Sequence, residues 1–354
     1  MKQPALGVVS SVLVIAVSVG FIALFALHTF VAWVAVLMIC FIPMQIVIAV
    51  SWSSRYPRYA AARAQPLKGM LLVLLALAAG AVVAVFHIGV IGGGVTPPSP
   101  MLAMCIITSV VVTFWFAIIW GGWPFTALFR SPVGAGLSML IACYGANYLF
   151  FRLFFNFGFM SGAPGYLSSG DPHGLFNAWS ALVFYLTAIS VMFLLLNFDL
   201  WPLVKSPALM RQPLLGLAGT GILLAVGGGA YWLGVRVIGM EGPVFMVRGP
   251  IPLIFGTIIV QNMMQGSLFR KRAQPVKGLL TAASALAIGV VFSRIFAALA
   301  PLISGATKSG QPDYQSETWL ASALLSVAFP FLIFFSEFFR FWPLRKGDDG
   351  RDVR

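Results

Sequence analysis

Long apolar runs separated by short polar segments make up most of the chain. Val8–Leu27 and Met70–Phe86 contain no charged residue, and a run of about 18 apolar residues is long enough for a transmembrane helix. Each such run therefore predicts one membrane-spanning helix. The pattern predicts ten of them, at about residues 7–27, 29–50, 69–90, 101–122, 134–156, 177–199, 213–235, 243–264, 278–299 and 319–341.

The composition agrees with this pattern. Hydrophobic residues make up 60% of the 354 residues and charged residues 9%, whereas soluble domains carry about 25% charged residues. We therefore predict an all-α, polytopic transmembrane helical bundle, with one integral membrane domain over residues 1–344 and a charged cytoplasmic tail over 345–354. The three cysteines, Cys40, Cys105 and Cys143, each lie in an apolar run and form no CxxC pair. They are interpreted as small buried residues rather than as a disulfide or a metal site.

The distribution of basic residues predicts the orientation. The net charge is +13, but the basic residues lie in short loops between apolar runs, so no nucleic-acid partner is expected. All but five of the 22 lysines and arginines share one side with the N-terminus, the exceptions being Arg152, Arg236, Arg248, Arg294 and Lys308. The positive-inside rule then predicts that both termini are cytoplasmic. The expected location is the plasma membrane, of the bacterial inner-membrane type.

A short motif recurs along the sequence. Arg63–Gly69 (RAQPLKG) returns as Arg272–Gly278 (RAQPVKG), and weaker copies stand at Lys2–Gly7, Arg130–Gly134 and Arg211–Gly216. Each copy precedes an odd-numbered span, where proline suits the first helical turn. We predict five tandem two-helix hairpin repeats, at about 1–62, 63–128, 129–209, 210–270 and 271–344, the third enlarged by an outer loop at 157–176. The same motif predicts that the first span is an uncleaved helix. As an alternative role, the basic loops contact anionic headgroups or a cytosolic partner.

Basic residues also recur at the other end of the odd spans. They stand 19 to 24 residues after each motif proline, a distance that reaches the outer interface; they are His28, His87, Arg152, Arg236 and Arg294. If the hairpins surround a common axis, these residues form a basic ring that attracts anions. The competing interpretation is that long basic side chains extend to the headgroups.

The eighth span carries the second candidate for a substrate-binding site. Prolines 243, 250 and 252 and two glycines interrupt its outer half around Arg248. Interrupted helices are frequent at transporter sites because the freed backbone groups can face a ligand. Arg248 would need a partner, with Glu241, Glu317 and Asp171 as candidates. The competing interpretation is a surface loop that dips before a short helix.

Acidic residues near the inner ends of even spans are candidates for ion coupling. They are Glu337 and Asp199, because intramembrane ionisable groups are often functional. Arg340 is a salt-bridge partner for Glu337 at i+3. The sequence contains no nucleotide-binding loop, HExxH or nucleophile elbow, so no catalytic residue, metal or cofactor is expected.

Three functions remain open from the sequence. The first is a transporter or permease for a small solute, with an anion as one candidate class. The second is a non-transporting membrane scaffold or assembly protein. The third is a membrane-embedded enzyme acting on lipid, for which Asp171–His173 in the long outer loop is the one cluster of suitable residues, although such a segment more often forms a turn. The lipid bilayer is the one partner that the sequence predicts, and the oligomeric state stays open.

Overall fold

The computed structural model describes residues 1–163, 166–311 and 314–345. Ten helices in this part of the chain are long and apolar enough to cross a membrane, which confirms the predicted all-α fold with ten spans. They are α1 (Ala5–Ile22), α2 (Leu27–Ser51), α3 (Leu67–Ile91), α4 (Pro100–Ile119), α5 (Pro132–Phe154), α6 (Ala178–Asn197), α7 (Leu214–Val237), α8 (Gly242–Met263), α9 (Val276–Ser304) and α10 (Gln315–Phe338). Two short parallel strands, β1 (Phe155–Asn156) and β2 (Phe176–Asn177), pair between α5 and α6. Beyond Arg345, the predicted charged tail lies outside the described residues.

The helices form two concentric layers. Each even-numbered helix packs against the next even-numbered one, and α10 returns to α2, so these five helices form an inner ring. In their most apolar stretches, 61% to 72% of the residues are buried in the even helices, compared with 22% to 44% in the odd helices. The odd helices therefore form an outer layer whose apolar side chains are exposed, as expected for a surface that faces lipid.

Each odd helix lies in the groove between two even helices. From α3 to α9, it packs mainly along the even helix that precedes it in the chain and also against the even helix before that one around the ring, which for α3 is α10. α1 occupies the corresponding place between α10 and α8. The same packing thus occurs five times around the ring. It also means that the two helices of each predicted hairpin unit are not each other's main packing partners.

Four glutamines join the starts of odd helices to the ends of even ones. We call this end of the bundle the proximal face and the opposite end the distal face. In each case the glutamine Oε1 accepts a hydrogen bond from the N–H of the glycine four residues later, and Nε2 donates to another helix end. The donor–acceptor pairs are Gln3 to Met263 O (2.9 Å), Gln65 to Phe338 O (2.6 Å), Gln212 to Ile119 O (2.9 Å) and Gln274 to Asp199 Oδ2 (2.8 Å).

The remaining odd helix, α5, is joined differently. At α5 a serine replaces the glutamine, and Ser131 Oγ accepts from the N–H of Gly134 at 3.4 Å. The link to an even helix comes from the other side, because Trp52 Nε1 at the end of α2 donates to Pro132 O at 2.9 Å. All five odd helices are therefore fixed at the proximal face, where these bonds satisfy backbone groups that helix ends leave without partners.

The centre of the inner ring is filled by side chains. Phe114 of α4 contacts Phe193 of α6, with ring centroids 5.4 Å apart, and reaches across to Phe329 of α10 at 5.9 Å. Nearby, Gln45 of α2 donates to Pro330 O of α10 at 2.8 Å. Aromatic packing and this polar bond close the axis at that level. As predicted, Cys40, Cys105 and Cys143 are free and buried.

Candidate functional site

A groove opens sideways between α5 and α7. It has a volume of about 730 Å³, within the range of roughly 300–1,000 Å³ typical of small-molecule sites. α4 and α6 form its floor. Its lining is mainly apolar and includes seven aromatic residues: Trp115, Phe150, Phe154, Phe176, Phe184, Tyr185 and Tyr231. We call this cavity the lateral groove. Because α5 and α7 belong to the outer layer, it faces the side of the bundle where lipid would lie.

Arg236 supplies the one charged side chain among the residues that line the lateral groove. It stands in the last turns of α7, at the distal face, and is exposed. Within the described residues it forms no ion pair. Since a guanidinium group binds phosphate and carboxylate through charge-assisted hydrogen bonds, the distal end of the groove is suited to a negatively charged group.

The loop between α5 and α6 borders the distal end of the groove through Leu175, Phe176 and Asn177. Pairing of β1 with β2 holds this loop against α5. Gly174 is required there, because a Cβ atom would lie 2.5 Å from Phe155 N. The long loop at 157–176 thus ends as a structured rim of the groove.

Asp171 organises the same loop from a buried position. Its carboxylate accepts hydrogen bonds from the N–H of Phe157 (3.1 Å), the N–H of His173 (2.9 Å) and the hydroxyl of Tyr166 (3.1 Å). Desolvation by burial acts to raise the pKa of Asp171, but these hydrogen bonds and the nearby His173 outweigh it and lower the pKa below its usual value. His173 Nδ1 lies 3.5 Å from Asp171 Oδ2, and its side chain is 65% exposed.

The other predicted basic residues lie apart from one another, on four different helices. Arg152 and Arg294 are exposed on α5 and α9, and His28 is exposed in the first turn of α2 rather than in α1. His87 is instead buried in α3, where Nδ1 lies 2.9 Å from Val83 O and the ring packs edge-on against Tyr144. No hydrogen bond or ion pair within the described residues joins any two of them.

Arg248 stands at an interruption of α8. The helix stops at Arg248, Gly249 takes a non-helical conformation, and the helix resumes at Pro250. Arg248 is exposed and forms no ion pair within the described residues. Of the suggested partners, Glu317 is buried and accepts hydrogen bonds from the hydroxyl of Ser309 and the N–H of Gly310.

The interrupted helix α8 packs very closely against α9. Next to the interruption, a Cβ at Gly256 would lie 1.7 Å from Ala285 O, and a Cβ at Gly289 would lie 1.8 Å from Pro252 O. α8 and α9 therefore meet backbone to backbone. The N–H of Gly249 still donates to Phe245 O at 3.0 Å.

The acidic candidates hold helix ends together at the proximal face. Asp199 forms an ion pair with Lys277 at 2.6 Å and also accepts from Gln274. Glu337 is half-buried and accepts from Asn262 Nδ2 at 3.1 Å, which joins α10 to α8. Neither residue lines the lateral groove. Among the described residues, no group of three His, Cys, Asp or Glu is placed to hold a metal ion.

Sequence reasoning identified Arg236 but missed the walls of the lateral groove. Those aromatic residues come from four helices and from strand β2, and in the sequence they resemble ordinary lipid-facing side chains. One feature of the sequence did point to this region. The longest outer loop, 157–176, directly precedes α6, and Arg236 lies in the next helix, α7. Comparison of the chain with protein-family models, curated proteins and solved structures finds no match.

Proposed function

We propose that this protein is a membrane transporter that takes an anionic amphiphile from the surrounding lipid into the lateral groove. One observation carries the proposal: Arg236, which forms no ion pair within the described residues, stands at the distal end of a mainly apolar groove between two outer helices. An apolar tail would lie along the aromatic walls, while a phosphate or carboxylate would pair with the guanidinium group. This solute is more apolar than the small anion that the sequence suggested.

Two alternatives each have one supporting observation. A non-transporting scaffold is favoured by the inner ring, whose axis is filled around Phe114 and whose helix ends are bonded at the proximal face. A lipid-modifying enzyme is favoured by the pair formed by Asp171 and the exposed His173 on the loop that borders the groove. Carboxylate–histidine pairs of this kind can act in proton transfer.

The proposal also includes the five hairpin repeats and the orientation of the termini that the sequence predicted. The recurring motif, together with the same glutamine bonds at four helix starts, supports an origin in five duplicated hairpins. The excess of lysine and arginine near the proximal face supports a cytoplasmic location for both termini. A permease of the bacterial inner-membrane type is the resulting proposal, with the distal end of the groove facing outward.

A flux assay in liposomes tests this function. The purified protein would be reconstituted with a fluorescent alkyl phosphate, and a membrane-impermeant quencher added outside would report movement of the probe between leaflets. The wild-type protein should accelerate that movement. Arg236→Gln should slow it by about tenfold or more, because it removes a charge-assisted bond worth roughly 1.5–3 kcal/mol.

Two further variants make the result specific. Lys308→Gln, an exposed distal lysine outside the groove, should behave like the wild type. Arg294→Gln tests the basic ring, because Arg294 does not line the groove. If Arg294→Gln and Arg236→Gln both reduce the flux, the ring is favoured over the groove. Binding of the probe without movement would point to the scaffold, and a fully active Arg236→Gln variant would refute the groove as the site.

A further inference from the structure

We infer that the lateral groove accepts an amphiphile whose chain is longer than one bilayer leaflet, with its tail reaching past the midplane. The inference rests on the proposed function for the position of the charged headgroup at Arg236. Its own support is the depth of the groove and the structure of its inner end.

Three helices give independent measures of the depth. On α7 the lining runs from Arg236 to Thr220, which at 1.5 Å per residue is about 24 Å. On α4, which begins at the distal face with Pro100, the deepest lining residue is Trp115, about 22 Å along the helix. On α6 the lining continues from Asn177 to Ile189, about 18 Å.

These depths exceed one leaflet. The hydrocarbon core of a bilayer is about 30 Å thick, so its midplane lies roughly 15 Å from either surface. A tail that starts at Arg236 and follows the groove to its end therefore crosses the midplane by several ångströms. An ordinary lipid of the distal leaflet would leave the inner end of the groove unfilled.

Trp115 and Thr220 line the inner end of the groove, and a second indole, that of Trp120, is bonded to the same threonine. Trp115 Nε1 and Trp120 Nε1 both donate to Thr220 Oγ1, at 2.9 Å and 3.2 Å. Trp120 is held in place because Gly216 of α7 packs against its ring. Both indole N–H groups already have a hydrogen-bond partner, so a hydrocarbon tail placed here would leave neither of them unsatisfied. The inner end of the groove therefore suits the end of such a tail.

Filling the inner part of the groove should selectively affect long chains. Leu224 lines the groove about 18 Å from Arg236, and its side chain is 52% exposed, so Leu224→Trp can be accommodated without disturbing the core. Leu217 is 58% exposed on the same helix and does not line the groove, so Leu217→Trp is the matched control.

Competition binding with octyl, dodecyl, hexadecyl and eicosyl phosphate tests the inference. The protein would be held in nanodiscs containing a fluorescent dodecyl phosphate, and competitor concentrations expressed as mole fractions in the disc lipid, which removes the contribution of partitioning. Eicosyl phosphate should bind about tenfold more tightly than octyl phosphate, because more of the groove wall is in contact with the chain. Leu224→Trp should lose most of this gain while binding octyl phosphate as the wild type does, and Leu217→Trp should keep it.

The possible failures are distinct. Affinity that is independent of chain length but still requires Arg236 would overturn the length inference and leave the proposed function standing. A gain with chain length that survives Leu224→Trp would place the tail elsewhere and overturn the inference. If no alkyl phosphate displaces the fluorescent probe, or if the probe does not bind, the proposed function fails as well.

Discussion

The side-chain amide of Gln65 donates a hydrogen bond of 2.6 Å to Phe338 O, joining the start of α3 to the end of α10 across 273 residues of sequence. Its Oε1 at the same time accepts from the N–H of Gly69 at 3.1 Å. One side chain therefore caps a helix and links the last span to the first quarter of the chain. This bond fixes an outer-layer helix to the inner ring at the proximal face.

Gln65→Ala should destabilise the protein by about 1–3 kcal/mol, because it leaves both the Gly69 N–H and the Phe338 carbonyl without this partner. Chemical denaturation in detergent, followed by tryptophan fluorescence, would measure the change in the free energy of unfolding. Leu67→Ala, at a 47% exposed side chain in the same turn, is the control and should change stability by clearly less. Equal losses for the two variants would argue against a role for the glutamine bonds.

The motif around Gln65 allowed the helix starts to be predicted from the sequence, but not the packing partners. Its proline and basic residues predicted a helix start, and the helices do begin next to Pro4, Pro66, Pro132, Pro213 and Pro275. The partner of the glutamine could not be predicted, because it lies at the end of a helix that is remote in sequence. Apolar periodicity identifies spans but does not say which span packs against which.

The candidate site shows the same limit. Arg236 was predicted from its distance to a motif proline, but its equivalents Arg152 and Arg294 lie elsewhere on the outer layer and do not line the lateral groove with it. What distinguishes Arg236 is the set of aromatic rings that α4, α5, β2 and α6 bring next to its own helix. That arrangement arises from tertiary packing, and a single sequence contains no direct record of it.

Acid should loosen the distal loop through Asp171. The folded-state pKa of Asp171 lies below its ordinary value of 3.8, so the ionised carboxylate stabilises the loop fully above that value. The stabilisation is lost as the pH falls through the lowered folded-state pKa. Hydrogen exchange of the segment around Phe157 and His173, measured from neutral pH downward, should show protection that decreases only in strongly acidic solution.

Asp171→Asn provides the control for this pH effect. Asparagine keeps an acceptor oxygen but cannot ionise, so protection of the loop should be lower at neutral pH and should no longer change with acid in this range. The weakened bonds from the two backbone N–H groups and from Tyr166 should cost about 1–3 kcal/mol locally. An unchanged acid response in this variant would assign the effect to another group.

The ion pair between Asp199 and Lys277 should contribute little to stability and nothing to flux. Asp199 is 52% exposed, and exposed ion pairs are worth about 0–1 kcal/mol because solvent screens them. Asp199→Asn should therefore lower the unfolding free energy by less than about 1 kcal/mol and leave the pH dependence of transport unchanged. A flux that becomes independent of pH in this variant would restore Asp199 as an ion-coupling residue.

Gly289→Ala should be among the most damaging single-methyl changes in the protein. A Cβ at this position would lie 1.8 Å from Pro252 O, a backbone atom that cannot rotate away, so α8 and α9 would have to separate. Overpacking of this kind costs about 1–3 kcal/mol or more. Gly229→Ala in α7 is the matched control, because no atom lies within 4 Å of its added Cβ, and it should stabilise the helix by about 0.5–1 kcal/mol. Thermal unfolding in detergent should thus shift in opposite directions for the two variants, and a Gly289→Ala protein as stable as the wild type would contradict the backbone contact between α8 and α9.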